Sequence, residues 1–214
     1  MTTGIIFDLD GVLLDYSYRF HKTYQDILTP LGIICPSREE LYTLRRTGKT
    51  TEEILDTLLP QDLQGRKEKI AYCKEKRKDI IETQEYLTYD QFFPEAIPLL
   101  KKLKEQGYIT GIITKRKNKE QTEKQLQPIQ HLLTFIIVTQ TKKEAIQQAL
   151  KKYSIDTCYF ITDTSEDIHE GKKAGVKTIG ITTGIENEEL LAQAQPDYLV
   201  KDLTTLQQLL KQLS

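Results

Sequence analysis

Four short groups of residues in this chain carry side chains that could do chemistry together. The first is Asp8-Leu9-Asp10-Gly11, which directly follows the apolar run Ile5 to Phe7. Two carboxylates one residue apart in extended chain share a face, and at that distance they repel unless a cation or a proton lies between them. Magnesium, a hard cation that takes oxygen ligands and keeps several waters, would resolve the conflict. Gly11 permits a tight turn, and Leu13-Leu14 returns the chain toward the interior. A strand that simply ends in an Asx turn is the plainer account of the same residues. The other groups are Thr114, then Lys142 or Lys143, then Asp163 and Asp167, each just after an apolar run. Carboxylates, a hydroxyl and an ammonium suit a metal together with an anionic oxygen group, most simply a phosphate.

Positioning these groups falls to an alternating pattern of elements. Short strands are expected at Ile5 to Phe7, Tyr108 to Ile113, Phe135 to Val138, Cys158 to Ile161, Thr178 to Ile181 and Tyr198 to Val200, with amphipathic helices between them. Strands alternating with helices predict an α/β fold, a Rossmann-like parallel sheet flanked by helices. In such sheets ligands bind outside the carboxyl ends of the strands, where all four groups fall. Residues 16–89 differ, with helical spacing throughout and few strand-like runs. Four helices are expected there, one of them capped by Ser37 with Glu40 three residues on. The expected organisation is an α/β core of residues 1–15 and 90–214, interrupted by a helical cap domain (a four-helix bundle) of residues 16–89.

Composition narrows the partners. Thirty basic and 31 acidic residues leave a net charge of -1, so no overall field draws the chain to nucleic acid or to a membrane surface. Lys115, Arg116, Lys117 and Lys119 form a basic run without interleaved aromatics and read as a solvated face. Three widely spaced cysteines without a Cys-x-x-Cys pair read as reduced thiols. With no apolar run of spanning length and no leader-like N-terminus, a soluble cytoplasmic protein is expected. No Gly-x-x-x-x-Gly-Lys or Gly-x-Gly-x-x-Gly element follows a strand, which disfavours nucleotide-cradling folds. His21, His131 and His169 lack ligand spacing.

The order Asp8-Leu9-Asp10-Gly11-Val12-Leu13, Thr114, a lysine before the next helix and Asp163-x-x-x-Asp167 resembles the haloacid dehalogenase superfamily of aspartate-nucleophile phosphatases. The helical insertion after the first motif is similar to the cap of its phosphoglycolate phosphatase and β-phosphoglucomutase branch. The resemblance implies Asp8 as nucleophile, forming an aspartyl-phosphate, and Asp10 as general acid and then general base. It implies Thr114 as a hydrogen-bond donor to phosphate and a lysine that balances charge. Counting into the following helix favours Lys142 over Lys143 for that lysine. It also implies a Mg2+ ion held by Asp8, Asp10 (through its backbone carbonyl), Asp163 and Asp167.

Some positions depart from the family pattern. Thr162 stands where relatives commonly have Gly or Glu, Lys115 where many have a phosphate-touching Asn, and no Lys-Pro pair marks the third motif. Lys115 is a candidate substrate-binding residue for that reason. Arg46 and Lys49, in Arg45-Arg46-Thr47-Gly48-Lys49, lie where similar proteins carry a specificity loop, and are expected to contact the leaving group. A helix end that favours cations through its dipole explains them equally well. The expected function is hydrolysis of a small phosphomonoester by a monomer or homodimer, with a phosphomutase of the β-phosphoglucomutase kind, or a weakly catalytic phosphate-binding regulatory protein, as alternatives. A dehalogenase is disfavoured, since those relatives lack the second Asp.

Overall fold

Alternate side chains of the first strand point into two different hydrophobic layers, and this sets the architecture. In β1 (Thr3–Phe7), Ile5 and Phe7 join one core and Ile6 the other, all fully buried. A strand buried on both faces must sit centrally between layers of helices. In the computed structural model, which describes residues 1–213, it does. The remaining strands are β2 (Leu14–Asp15), β3 (Gln91–Phe92), β4 (Ile109–Thr114), β5 (Phe135–Val138), β6 (Thr157–Thr162), β7 (Lys177–Ile181) and β8 (Tyr198–Val200). Six of them form one parallel sheet in the order β5-β4-β1-β6-β7-β8.

Two compact units divide the chain, one holding Met1–Asp15 and Gln91 onward, the other Tyr16–Asp90. In the first unit, helices α6 (Ala96–Glu105), α7 (Lys119–Leu126) and α11 (Leu203–Gln212) supply Leu99, Leu100, Leu103, Leu126, Leu203, Leu206 and Leu210 to the layer under Ile5 and Phe7. Helices α8 (Lys142–Lys152) and α9 (Ser165–Ala174) supply Ala145, Ile146, Ala149 and Ala174 to the layer around Ile6. Each large apolar side chain buried this way contributes about 1.5–3 kcal/mol. A short helix, α10 (Glu188–Gln193), follows β7. β2 and β3 pair antiparallel, Leu14 with Phe92 and Asp15 with Gln91, where the chain leaves and rejoins this unit.

The second unit is helical, with α1 (Ser17–Leu28), α2 (Arg38–Arg46), α3 (Thr51–Leu58), α4 (Arg66–Ile80) and the four-residue α5 (Gln84–Leu87). Helix α1 packs on α2, α4 and α5, and α3 packs on α4. Phe20, Tyr24, Ile27, Leu41, Ile54, Leu55 and Cys73 are buried within it. Ser37 with Glu40 and Thr50 with Glu53 form reciprocal capping boxes at the starts of α2 and α3, which satisfy donors that a helix start leaves open. Arg19 and Asp90 lie 2.9 Å apart as a fully buried ion pair. Cys35, Cys73 and Cys158 are free. No helix of the described residues is long and apolar enough to cross a membrane.

Candidate active site

β1 ends at Phe7, one residue before the first carboxylate, so strand alternation does not aim Asp8 and Asp10. A backbone-bonded loop does: Leu13 and Leu14 N–H donate to the Leu9 carbonyl at 3.0 Å, and Gly11 N–H to that of Leu14 at 2.8 Å. Gly11 has φ +79°, a left-handed conformation that a side chain would strain. Thr183 Oγ1 donates to the Gly11 carbonyl at 2.6 Å. The two carboxylates consequently face different cations.

Asp8 is buried, and its Oδ1 accepts the Leu9 N–H at 2.7 Å. Lys142, on the first turn of α8 and 1% exposed, places Nζ 2.8 Å from that oxygen and 2.7 Å from Asp167 Oδ2. The neighbouring Lys143 is only half-buried, and its backbone N–H turns to Glu170. Of the two lysines, Lys142 reaches Asp8. Asp167, at the start of α9, also has Lys115 Nζ 2.9 Å from Oδ1, and Lys115 lies 2.6 Å from Glu166. Lys115 therefore secures Asp167 and Glu166. Thr114, the last residue of β4, is buried at the carboxyl edge beside β1.

Asp163 follows β6 and is 2% exposed. Its Oδ2 accepts the Ile185 N–H at 2.8 Å and is wedged between two glycines. A Cβ on Gly11 would lie 2.3 Å from that oxygen, and one on Gly184 only 1.9 Å. Among the described residues no cation pairs with Asp163. Glu186, in the same loop, accepts from Ser165 N–H and Oγ at 2.7 and 3.1 Å.

Electrostatics separate these carboxylates. Burial raises Asp8 from its ordinary 3.8 to about 6, Lys142 opposing and Asp167 adding to the rise. Burial, and then the charge of Asp8, raise Asp163 well above its ordinary value. Asp167 is equally buried, yet Lys142 and Lys115 outweigh that effect and hold it low. Lys142 is raised, because Asp8 and Asp167 overcome the burial that would lower it. Two buried carboxylates that repel, one without a cation of its own, are a donor set that fits a hard divalent ion. The four carboxylates do not converge as a ready-made cage. Among the described residues no three His, Cys, Asp or Glu side chains gather in metal-holding geometry.

The raised groups set a pH dependence of stability. A carboxyl that binds its proton more tightly folded than unfolded contributes stability that is full below its unfolded value and lost as pH rises through the folded one. For Asp8 that window runs from about 4 to about 6, and Asp163 acts in the same sense. Asp167, held low, acts only below its ordinary 3.8, and Lys142 only above its ordinary 10.5. The unfolding midpoint of the metal-free protein is expected to fall between pH 5 and 7. A midpoint that rises across that interval would contradict the burial of this pair.

Arg116 corrects the sequence reading. Within a run read as a solvated face, Lys117 and Lys119 are exposed but Arg116 is buried. It forks onto Asp10, Nε to Oδ2 at 2.9 Å and Nη2 to Oδ1 at 2.5 Å, while Nη1 donates to Gln125 Oε1 from α7. Arg116, Gln125, Gly184, Ile185 and Glu186 went unrecognised. The only local hint was an arginine two residues past a strand end. Arg46 and Lys49 lie in the helical unit, at the end of α2 and just after it. Lys49 Nζ donates to Thr57 Oγ1 at 3.0 Å, and its carbonyl accepts from Arg45 Nη1 at 2.5 Å.

A family model described as "Haloacid dehalogenase-like hydrolase" matches residues 5–181. Over 211 residues the chain is 26% identical to "Pyrophosphatase PpaX" of Bacillus pumilus, covering 94% of this chain and 93% of the relative. It is 25% identical to a "Phosphoglycolate phosphatase" of Vibrio cholerae, covering 94% of each. A haloacid dehalogenase-like family hydrolase of Streptococcus pneumoniae superposes with a TM-score of 0.68 at 26% identity, over 96% of this chain and 97% of that one.

Proposed function

Since the chain belongs to the haloacid dehalogenase-like hydrolases, we propose that it is a phosphatase that cleaves a small phosphate ester through an aspartyl-phosphate on Asp8. The observation that carries this reading is the buried Lys142 ammonium shared between Asp8 and Asp167, with Asp163 beside them at the carboxyl edge of the sheet. A nucleophilic carboxylate approaching a dianionic phosphate needs positive charge fixed in advance, and an ammonium held by two carboxylates cannot drift.

In this reading Asp8 Oδ attacks phosphorus as the bond to the leaving oxygen breaks, and Thr114 Oγ1 donates to a phosphoryl oxygen. Asp10 supplies the proton to the leaving oxygen. Water then attacks the aspartyl-phosphate, Asp10 takes its proton, and phosphate leaves with Asp8 restored. Asp8, Asp163 and the backbone carbonyl of Asp10 would hold magnesium, with Asp167 orienting the set. When bound, the ion would offset the charge of the carboxylates and the phosphate. Arg46 and Lys49, two cations at the junction of α2 and α3, would read an anionic group on the substrate's leaving portion.

The names of the relatives suggest what to offer. The test is phosphate release from a panel containing pyrophosphate, phosphoglycolate, sugar phosphates and p-nitrophenyl phosphate, with magnesium and with chelator. Release that requires magnesium is expected from at least one of them. An unmeasurable rate on every substrate, with a bisphosphate activator also present, would overturn the proposal.

A further inference from the structure

Burying a guanidinium costs several kcal/mol unless its partners are well placed, so the position of Arg116 calls for a reason. Its side chain is 2% exposed while that of its partner, Asp10, is 27% exposed. Gln125 holds one guanidinium nitrogen and the other two grip Asp10. The cation is thus anchored from within the fold, and the carboxylate it holds is the member open to solvent. Both oxygens of Asp10 accept an N–H from the guanidinium. Two bonds from one planar group also set the plane of that carboxylate, which the single charge of a lysine would not do.

We propose that Arg116 is the positioning residue for Asp10 in the second half of the reaction, the hydrolysis of the aspartyl-phosphate. This rests on the roles of Asp8 and Asp10 given above. In that step a water O–H bond breaks and its proton passes to Asp10. The water oxygen bonds to phosphorus, and the bond from phosphorus to the Asp8 oxygen breaks, returning its electron pair to the carboxylate. To take that proton Asp10 must face the water, and two bonds from one guanidinium fix the direction in which its carboxylate faces. Formation of the aspartyl-phosphate from an aryl phosphate has no such need, because a nitrophenolate leaves without a proton.

The two half-reactions separate in steady-state kinetics. kcat/KM reports the steps through formation of the aspartyl-phosphate, while kcat includes its hydrolysis. The experiment measures both with p-nitrophenyl phosphate and magnesium for the unsubstituted protein, Arg116→Gln and Gln125→Leu, with rapid mixing to resolve the first turnover. Arg116→Gln is expected to lose about 30–100-fold in kcat, somewhat less than the roughly 10²–10⁴-fold that proton transfer by a positioned side chain supplies, because Asp10 itself remains. KM should fall in parallel, leaving kcat/KM within about threefold, and a burst of one nitrophenolate per active site should precede the slow phase. Gln125→Leu, which keeps the pair but loosens its anchor, is expected to show the same split at roughly 3–10-fold in kcat.

Equal losses in kcat and kcat/KM with no burst would overturn the inference, since a structural role alone gives that pattern. Should Arg116→Gln fail to fold, Gln125→Leu decides by the same criterion. Failure of the phosphatase reading looks different, because the unsubstituted protein itself would then show no magnesium-dependent release.

Discussion

Asp8→Asn is expected to abolish phosphate release while making the metal-free protein more stable at pH 7. In the proposed mechanism Asp8 is the nucleophile, so kcat should fall by at least about 10⁴-fold, because Asn cannot form the acyl-phosphate and the remaining groups would only position substrate and water. The stability gain follows from electrostatics. Asp8 is buried, its carboxyl raised to about 6 by that burial, with Lys142 opposing and Asp167 adding to the rise. Keeping it ionised at pH 7 costs on the order of 2–3 kcal/mol, which an isosteric amide does not incur. The gain is expected to shrink below pH 5, where Asp8 itself carries a proton. Phosphate release with magnesium, and thermal unfolding of the two proteins at pH 5 and 7 without it, measure the two effects. Release that survives in Asp8→Asn would remove the nucleophile from its role. A midpoint that falls at pH 7 would mean Asp8 is held by more than Lys142 and the Leu9 N–H.

Lys142→Met should also cost activity, but with the opposite effect on stability, lowering it. Methionine is close in length and fills the same space, so the substitution isolates the charge. Without it Asp8 and Asp167 remain buried with one cation fewer, Lys115 still at Asp167 but none at Asp8. Breaking a buried pair by removing one partner typically costs about 3–5 kcal/mol. Lys115 and protonation of Asp8 relieve part of that, so roughly 3 kcal/mol is expected at pH 7 and less at pH 5. In a chain of this length that corresponds to a fall in midpoint of roughly 6–12 °C. Turnover should fall by about 10²–10³-fold, the scale of removing one preorganised electrostatic contact to a developing anion. Unchanged stability at pH 7 would show that solvent reaches Asp8 in place of the ammonium. Unchanged turnover would remove Lys142 from the phosphate's surroundings.

How far the chain could be read without coordinates differs between elements. The helices of residues 16–89 were legible, down to the Ser37–Glu40 capping box, because caps and apolar spacing are local signals. The short pairing of Leu14–Asp15 with Gln91–Phe92 was not. Two-residue strands have no period to detect, and their partners lie on either side of a long insertion. The end of β1 at Phe7 was legible, but the partners of the two carboxylates beyond it were not. Past Phe7 the chain leaves the strand, and Asp8 meets Lys142 while Asp10 meets Arg116.

By itself the sequence determined the order of elements, the parallel sheet, the placing of Asp8, Thr114 and Asp163 at strand ends, and a lysine opening the helix after β5. Those properties follow from hydrophobic period and turn residues over a few positions, together with the rule that parallel sheets bind at their carboxyl edge. The tertiary structure decided which lysine meets Asp8, that Lys115 serves Asp167, and that Asp163 is gripped between Gly11 and Gly184. It also buried Arg116, which composition had assigned to solvent, against Asp10. Arg116 and Asp10 stand 106 positions apart in the chain, and no local pattern records such a meeting. The partner of a buried charge is chosen by the packing of strands and loops that bring distant segments together, and only the folded chain specifies it.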